Sequence, residues 1–487
     1  MSDMPVVKAV TCPICGCLCD DIELTIKDRA IVKVKNGCSM CESKFTSYKG
    51  HRQLKPLIKR NGKLVQVSPK EAVTAAAEIL AEASYPLLYG WSSTCCEAIR
   101  VGLELAEEIG GIIDNTSTIC HGPSALSIQD VGLPSCTLGQ IRHRADLVIY
   151  WGSNPWSAHP RHIERYTSFS EGRFEKSEWE AYLKKTKASA ARKKVESALR
   201  RVKAEEIKPF AASPAGAPCP AILKGGRKLI VVDVRRTRTA ENADYFIQVE
   251  PDKDYEVFEA LRALIRDEEL EVDEVAGVPV EYLEEVAEAM IGCDFGVIFF
   301  GLGLTMSKGK LRNVDAALSL TRDLNTRTKF MILPMRGHFN VTGADTVFTW
   351  QTGYPYAVDF SLGYPRYNPG ETSAVDALLR KETDAALVVA SDPVSNFPRT
   401  AAEHLVANPL IVIDPHMNVT AQMGDVVFPS AFVGIEASGT AYRMDHVPLS
   451  LKKIVDPPRG VLSDEVILKR ILTEVRRIKK KKQEEAR

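Results

Sequence analysis

LVIYWGSNPWSAHPR at residues 147–161 and LVVASDPVSNFPR at 387–399 follow one plan. Each is a continuous apolar run of strand length that stops at a polar residue followed by proline. Each leads to a second apolar run ending in aspartate, at Asp233 or Asp414, then to a helical stretch and a strand opening with Ala243-Asp244 or Gly424-Asp425. A strand without polar alternation has both faces buried, the condition of a parallel sheet covered by helices on both sides. The ordered repetition therefore predicts two related α/β halves of the nucleotide-binding kind. Generic repetition of α/β units is the alternative.

Further runs of the same kind lie at PLLYGW (86–91), GVIFFG (296–301) and KFMILP (329–334), and ligand loops in open α/β sheets follow such strand ends. Between them Ile99, Leu103 and Ala106 keep helical spacing until Gly110 and Gly111 stop it. Two segments depart from the plan. Residues 174–207 are dense in Lys, Arg and Glu and lead into the Ala/Pro-rich stretch 209–220, which reads as a solvated helical excursion ending in a flexible loop. The terminal RRIKKKKQEEAR reads as a solvated helix end or tail. Across 487 residues, 63 Lys plus Arg balance 63 Asp plus Glu, so no bulk positive field exists to hold nucleic acid or an anionic membrane. With 45% hydrophobic residues and no apolar run near the ~20 that a membrane helix needs, the chain is expected to be cytoplasmic.

Six of the twelve cysteines, Cys12, Cys15, Cys17, Cys19, Cys38 and Cys41, fall in the first 41 residues. Clustered thiols in a reducing compartment are metal ligands more often than bridges. Cys12, Cys15 and Cys19 with a distant Cys38 suit the corners of a 4Fe-4S cluster. Cys12-x2-Cys15 with Cys38-x2-Cys41 is also a zinc-ribbon spacing, but that reading leaves Cys17 and Cys19 unexplained, which favours iron-sulfur. Elsewhere, Cys120 and His121 share a polar loop, DNTSTICHGPS, between a short apolar run and a helix opening near Ser124. A thiol there is a nucleophile, a soft-metal ligand or an inert buried side chain. Arg336, in PMRGHFNVTG just after a strand, carries a permanent charge and a fork that fits a carboxylate or phosphate. Gly301-x-Gly303 permits close backbone approach to a phosphate, although so short a pattern is weak.

Taken together, these stretches resemble the B-subunit family of formylmethanofuran dehydrogenases, a branch of the molybdopterin oxidoreductases. The resemblance runs through CPICGCLCDD (12–21), SKF (43–45), LLYGWSSTCCEA (87–98), IDNTSTICHGPS (113–124), LVIYWGSNP with AHPRH (147–162), PMRGHFNVTG (334–343), GYPYAVDF (353–360), PRYNPGET (365–372) and EASGTAYRM (436–444). It implies that Cys12, Cys15, Cys19 and Cys38 hold a 4Fe-4S cluster, with Cys17 and Cys41 extra. It implies that Lys44 bridges electrons between cluster and pterin. It also implies that Cys120 ligates tungsten or molybdenum, completed by two molybdopterin guanine dinucleotides and a sulfido ligand. His121 and Arg336 match residues lining the substrate pocket. Gly152, Asn154, Asp233, Gly301, Gly303, Asp392 and Asp414 are the candidate contacts for the two dinucleotides.

The implied fold class is molybdopterin-oxidoreductase-like α/β: an N-terminal iron-sulfur domain (1–57) and two pseudo-symmetric Rossmann-like domains. The first would comprise 58–121 with 345–455, and the second 122–344 with a helical insertion at about 167–227. A C-terminal helix and charged tail (456–487) would follow, without the C-terminal β-barrel of the wider superfamily. The insertion is longer than is usual in the family, and Val234 stands where proline commonly follows the aspartate. The implied activity is reversible reduction of CO2 to formate. The implied partners are the A-type (metal-hydrolase-like), C-type and D-type (β-barrel) subunits of such a complex, together with ferredoxin-like subunits. A formate dehydrogenase serving another acceptor and a metal-free scaffold are the rival readings, the latter at odds with the cysteine quartet.

Overall fold

The computed structural model describes residues 4–50, 52–167, 170 and 227–485. The charged excursion at 174–207 and the Ala/Pro stretch at 209–220 lie outside the described residues. The chain divides into two compact units, Met1–Gly122 with Arg336–Arg487, and Pro123–Met335. Residues 1–57, expected as a domain of their own, cluster with the first unit. The boundary expected after 344 falls instead at Met335, which puts Arg336 in the first unit. The reason is local: Asn340, just beyond Arg336, donates to the Thr94 carbonyl (2.8 Å) and accepts from the Tyr442 amide (2.9 Å), both in the first unit.

The second unit is built on a five-stranded parallel sheet in the order Tyr245–Gln248, Lys228–Asp233, Leu147–Trp151, Phe295–Phe300, Lys329–Pro334. Its three central strands are almost wholly buried, as their unbroken apolar sequences require. Trp151 stacks on Phe258 and donates its indole N–H to Asp254 (2.7 Å), so the largest core ring also satisfies its one polar atom.

In the first unit the sheet has nine strands. Its parallel centre runs Ile112–Asn115, Pro86–Gly90, Ala385–Val389, Leu410–Ile413, Val426–Phe428, and antiparallel pairs close both edges. The helix Cys96–Ile109 ends at Gly110 in the left-handed conformation, the stop anticipated from sequence. The terminal basic run continues the helix Asp464–Glu485, whose Ile467, Leu468, Ile471, Leu472 and Val475 are buried against helices Pro69–Glu82 and Cys96–Ile109. Among the described residues no helix is long and apolar enough to cross a membrane.

The two sheets repeat each other down to individual hydrogen bonds. Thr239 Oγ1 donates to Asn154 Oδ1 (2.7 Å) and Thr420 Oγ1 to Asp392 Oδ1 (2.6 Å). The amides of Trp156 and Val394 donate to those same two threonines. Asp244 accepts from the Leu229 amide as Asp425 does from Leu410. Asp146 accepts from the amides of Asp294 and Phe295, and Asp384 from those of Ser84 and Tyr85. These pairs make Pro86–Gly90 the counterpart of Phe295–Phe300, and Ile112–Asn115 the counterpart of Lys329–Pro334. In the second unit the counterparts come last in the chain, whereas in the first they come before the other three strands. The repeat is therefore circularly permuted, with the second unit inserted after Gly122.

Glycine permits the tightest crossing in the second unit. At Gly152 φ is +54°, and a Cβ on Gly301 would stand 2.6 Å from the Gly152 carbonyl oxygen. Backbone cannot retreat as a flexible side chain can, so Gly301→Ala is expected to cost about 2 kcal/mol, roughly 4–8 °C in Tm. Gly139→Ala, where a Cβ meets only a threonine hydroxyl at 3.7 Å, should be neutral or slightly stabilising. Thermal unfolding of both variants checks the contrast.

Candidate functional site

Cys120 follows Ile112–Asn115, and Arg336 follows the equivalent strand Lys329–Pro334 of the other sheet. Both stand where an open α/β sheet places its ligand loops. Asn115 caps the short turn Thr116–Ile119, its side chain accepting from the Ser117 amide (2.8 Å). The Ser117 carbonyl then accepts from the amides of both Cys120 (3.0 Å) and His121 (2.9 Å). Asp114, at the strand end, accepts from the amides of Asn115, Ala357 and Ala374. Burial pushes its carboxyl up to about 7, the amides opposing.

Arg336 and Asp345 form a buried ion pair, 4% and 7% exposed. Asp345 also accepts from Ser117 Oγ (2.7 Å) and Asn115 Nδ2 (3.4 Å). Burial raises the Cys120 thiol to about 11, with Arg336 lowering it and Asp345 raising it. His121 is buried beside them. His338 and His446 are exposed at the surface. Desolvation by the surrounding protein still lowers the pKa of both, and the Arg336 charge lowers that of His446 further. His446 holds a left-handed backbone (φ +61°) at the turn of the hairpin Gly439–Tyr442 and Pro448–Leu451. The structure thus brings together Cys120, His121 and Arg336. Sequence reading missed Asp345, Ser117 and His446.

The cysteine loop lies in the same unit and is tied to the Arg336 loop. Gly16 N–H donates to the Gly337 carbonyl (3.0 Å), and Cys15 bridges His338. The Cys12 amide donates to the Cys19 carbonyl (2.9 Å). The Cys12 thiol is raised well above its ordinary pKa, first by its bond with the Cys41 thiol, then by burial, then by Cys41, Cys19 and Cys15 as like charges. Thiolates packed this closely repel, so the protonated form of Cys12 is favoured. Cys38 caps the helix Ser39–Ser47, which also carries Cys41 and Lys44. Among the described residues no three Cys, His, Asp or Glu side chains converge as ligands on one point. The set Cys12, Cys15, Cys19 and Cys38 therefore stands on spacing and resemblance, with Cys41 the thiol that meets Cys12.

Lys44 is lowered by burial, which the charges of Asp414 and Cys12 oppose, and its ammonium lies 4.8 Å from the Phe432 ring centre. Asp414 accepts from the His416 amide (2.8 Å) and Asn418 Nδ2 (3.1 Å), and burial pushes it up to about 7. Asp233 makes the matching turn, accepting from the Arg235 amide (3.3 Å). Asp392 accepts from Thr420 and Ser395. Gly152, Gly301 and Gly303 approach one another, and their amides donate to the carbonyls of Val232, Trp151 and Gly152. The close approach read from sequence is met by neighbouring backbone.

Residues 52–194 match the family model described as molybdopterin oxidoreductase. The B subunit of tungsten-containing formylmethanofuran dehydrogenase 2 from Methanocaldococcus jannaschii is 46% identical over 97% of this chain and 99% of its own. The chain belongs to the B-subunit family of formylmethanofuran dehydrogenases. The protein of the same name from Methanococcus maripaludis is 43% identical over 98% of this chain and 100% of its own. The formylmethanofuran dehydrogenase family is one of oxidoreductases. Among solved structures, the formyltransferase/hydrolase complex (FhcABCD) from Methylorubrum extorquens, crystallised with methylofuran, contains a chain of similar fold. It superposes with a TM-score of 0.62 at 20% identity, over 86% of this chain and 98% of that one.

Proposed function

We propose that this chain is the catalytic subunit for reversible reduction of CO2 to formate, the first half-reaction of formylmethanofuran synthesis in methanogenesis from CO2. The observation that supports it most is the linkage of a thiol, an imidazole and a guanidinium, at Cys120, His121 and Arg336, through Ser117 and Asp345 in a buried site. Cys120 would hold tungsten or molybdenum carried by two molybdopterin guanine dinucleotides with a sulfido ligand, and Cys12, Cys15, Cys19 and Cys38 a 4Fe-4S cluster. When bound, these groups supply the low-potential electrons and the two-electron couple that the reaction needs.

CO2 takes up two electrons and one proton to become formate. Arg336 orients the two oxygens and stabilises negative charge growing on them, an interaction stronger as CO2 becomes an anion than with neutral CO2. His121 gives or takes the proton at an imidazole nitrogen. Lys44, bracketed by Cys12 and Asp414, serves as the electron bridge. Gly152, Asn154, Asp233, Gly301 and Gly303 shape one dinucleotide contact in the second unit, and Asp392 and Asp414 another in the first. The chain would work in a cytoplasmic complex with hydrolase-like, C-type, β-barrel and ferredoxin-like subunits, and formate would pass to one of these for condensation with methanofuran.

Complex purified without oxygen is expected to interconvert formate and CO2 with a viologen dye. This chain should account for about four Fe and one W or Mo, beside the iron of the ferredoxin-like subunits. Zinc alone, or no interconversion, overturns the reading.

A further inference from the structure

A buried arginine meant to grip a carboxylate poses a problem for a reversible enzyme. A full cation in a site that excludes water holds formate too tightly to release it, while doing little for neutral CO2. Asp345 meets this difficulty. It lies in the first turns of the helix Val341–Thr352, which follows the Arg336 loop and places its carboxylate against Arg336 Nη1. Its other oxygen accepts from Ser117 and Asn115, so it is held from two sides and cannot swing away with the arginine. Ser117 in turn carries the amides of Cys120 and His121 on its carbonyl. One carboxylate thus fixes the arginine in register with the thiol and the imidazole.

We infer that Asp345 is a positioning residue that sets how strongly Arg336 holds formate, by neutralising part of the guanidinium charge that the substrate meets. The inference rests on the proposed formate chemistry. The charged and titratable groups around the pair include Cys120, Tyr356 and His446, all within electrostatic reach, with His121 next to Cys120 and Asp445 beside His446. None of them can substitute for a carboxylate bonded directly to the guanidinium.

The test is Asp345→Asn in the intact complex. One carboxylate oxygen becomes an amide NH2: the amide oxygen can still accept from Arg336 while the NH2 turns to Ser117, whose hydroxyl then accepts, so shape is kept and charge is lost. The KM for formate is expected to fall about tenfold, with kcat for formate oxidation falling too, while the KM for CO2 stays within about twofold. Azide, a linear monoanion, should bind about tenfold more tightly under non-turnover conditions, read by calorimetry. A merely structural role would weaken both substrates together. An unchanged or raised formate KM, with unchanged azide binding, overturns the inference. Should the variant fail to assemble, Asp345→Glu keeps the charge: a formate KM within about threefold of the parent with reduced kcat is expected, and a larger KM shift overturns the inference. If the parent complex does not interconvert formate and CO2, the proposed function fails instead, so the two failures are distinguishable.

Discussion

Cys120→Ala is expected to abolish formate oxidation and CO2 reduction, by at least about a thousandfold, equivalent to some 4 kcal/mol of transition-state stabilisation. The fold should survive. Cys120 is only partly buried, and it holds its loop through its amide, which donates to the Ser117 carbonyl and which alanine retains. Losing one small apolar group costs about 1 kcal/mol or less. Metal content read beside activity separates the causes. If Cys120 is the metal ligand, tungsten or molybdenum falls with activity while iron stays; if it is an inert core thiol, neither changes. The raised pKa of the thiol has a clear sign here. Burial favours the protonated form at neutral pH, so metal ligation must displace that proton, and Arg336 is the nearby charge that favours the thiolate.

The seven apolar runs were legible because a strand buried on both faces cannot hide: its sequence has no polar alternation. Each forms a strand in the structure. The permutation was not legible. Comparing 147–249 with 387–430 pairs the three strands that keep their order, but PLLYG and FGVIFF share only apolar character, and nothing linear says that one corresponds to the other. Their kinship surfaces in the carboxylates of Asp384 and Asp146, which bond amides at the strand entrances, some three hundred and one hundred and fifty residues away in sequence. The terminal basic run, read as a solvated helix end or tail, continues a helix whose last fully buried residue is Val475, with Ile478 packed half-buried on the same core. Beyond Val475, Arg476 reaches Glu104 and Glu108 on another helix, and i,i+4 pairs such as Lys480 with Glu484 continue the turn.

Within the site, Cys120, His121 and Arg336 could be read because their motifs are unusual, whereas Asp345 could not. In sequence it is an acidic residue in an ordinary helical stretch after Arg336. Its role depends on the turn made at Asn340 and on a serine far upstream. The glycines show the converse. Gly152, Gly301 and Gly303 signal close approach in sequence, but sequence does not say to what, and here the partner is the backbone just beyond a neighbouring strand.

The same buried pair yields the last expected result. Arg336→Ala should lower both activity and stability, and the two losses have different origins. Removing the guanidinium leaves Asp345 buried without its cation, which costs about 3–5 kcal/mol, or roughly 10 °C in Tm. Adding Asp345→Asn removes the stranded charge, so the double variant should recover more than half of the lost stability in thermal unfolding. Activity should not follow. With no guanidinium to meet the charge growing on the substrate oxygens, kcat/KM for formate should stay about 10²–10³-fold below the parent in both variants. Partial return of activity along with stability would mean that Arg336 acts by holding the loop together, because an oxygen-binding donor cannot be replaced by relieving a neighbour. Equal destabilisation in the single and double variants would mean that the carboxylate is protonated or solvated and never needed the arginine. The non-additivity of the two substitutions thus measures how far one ion pair is structural and how far its cation is reserved for substrate.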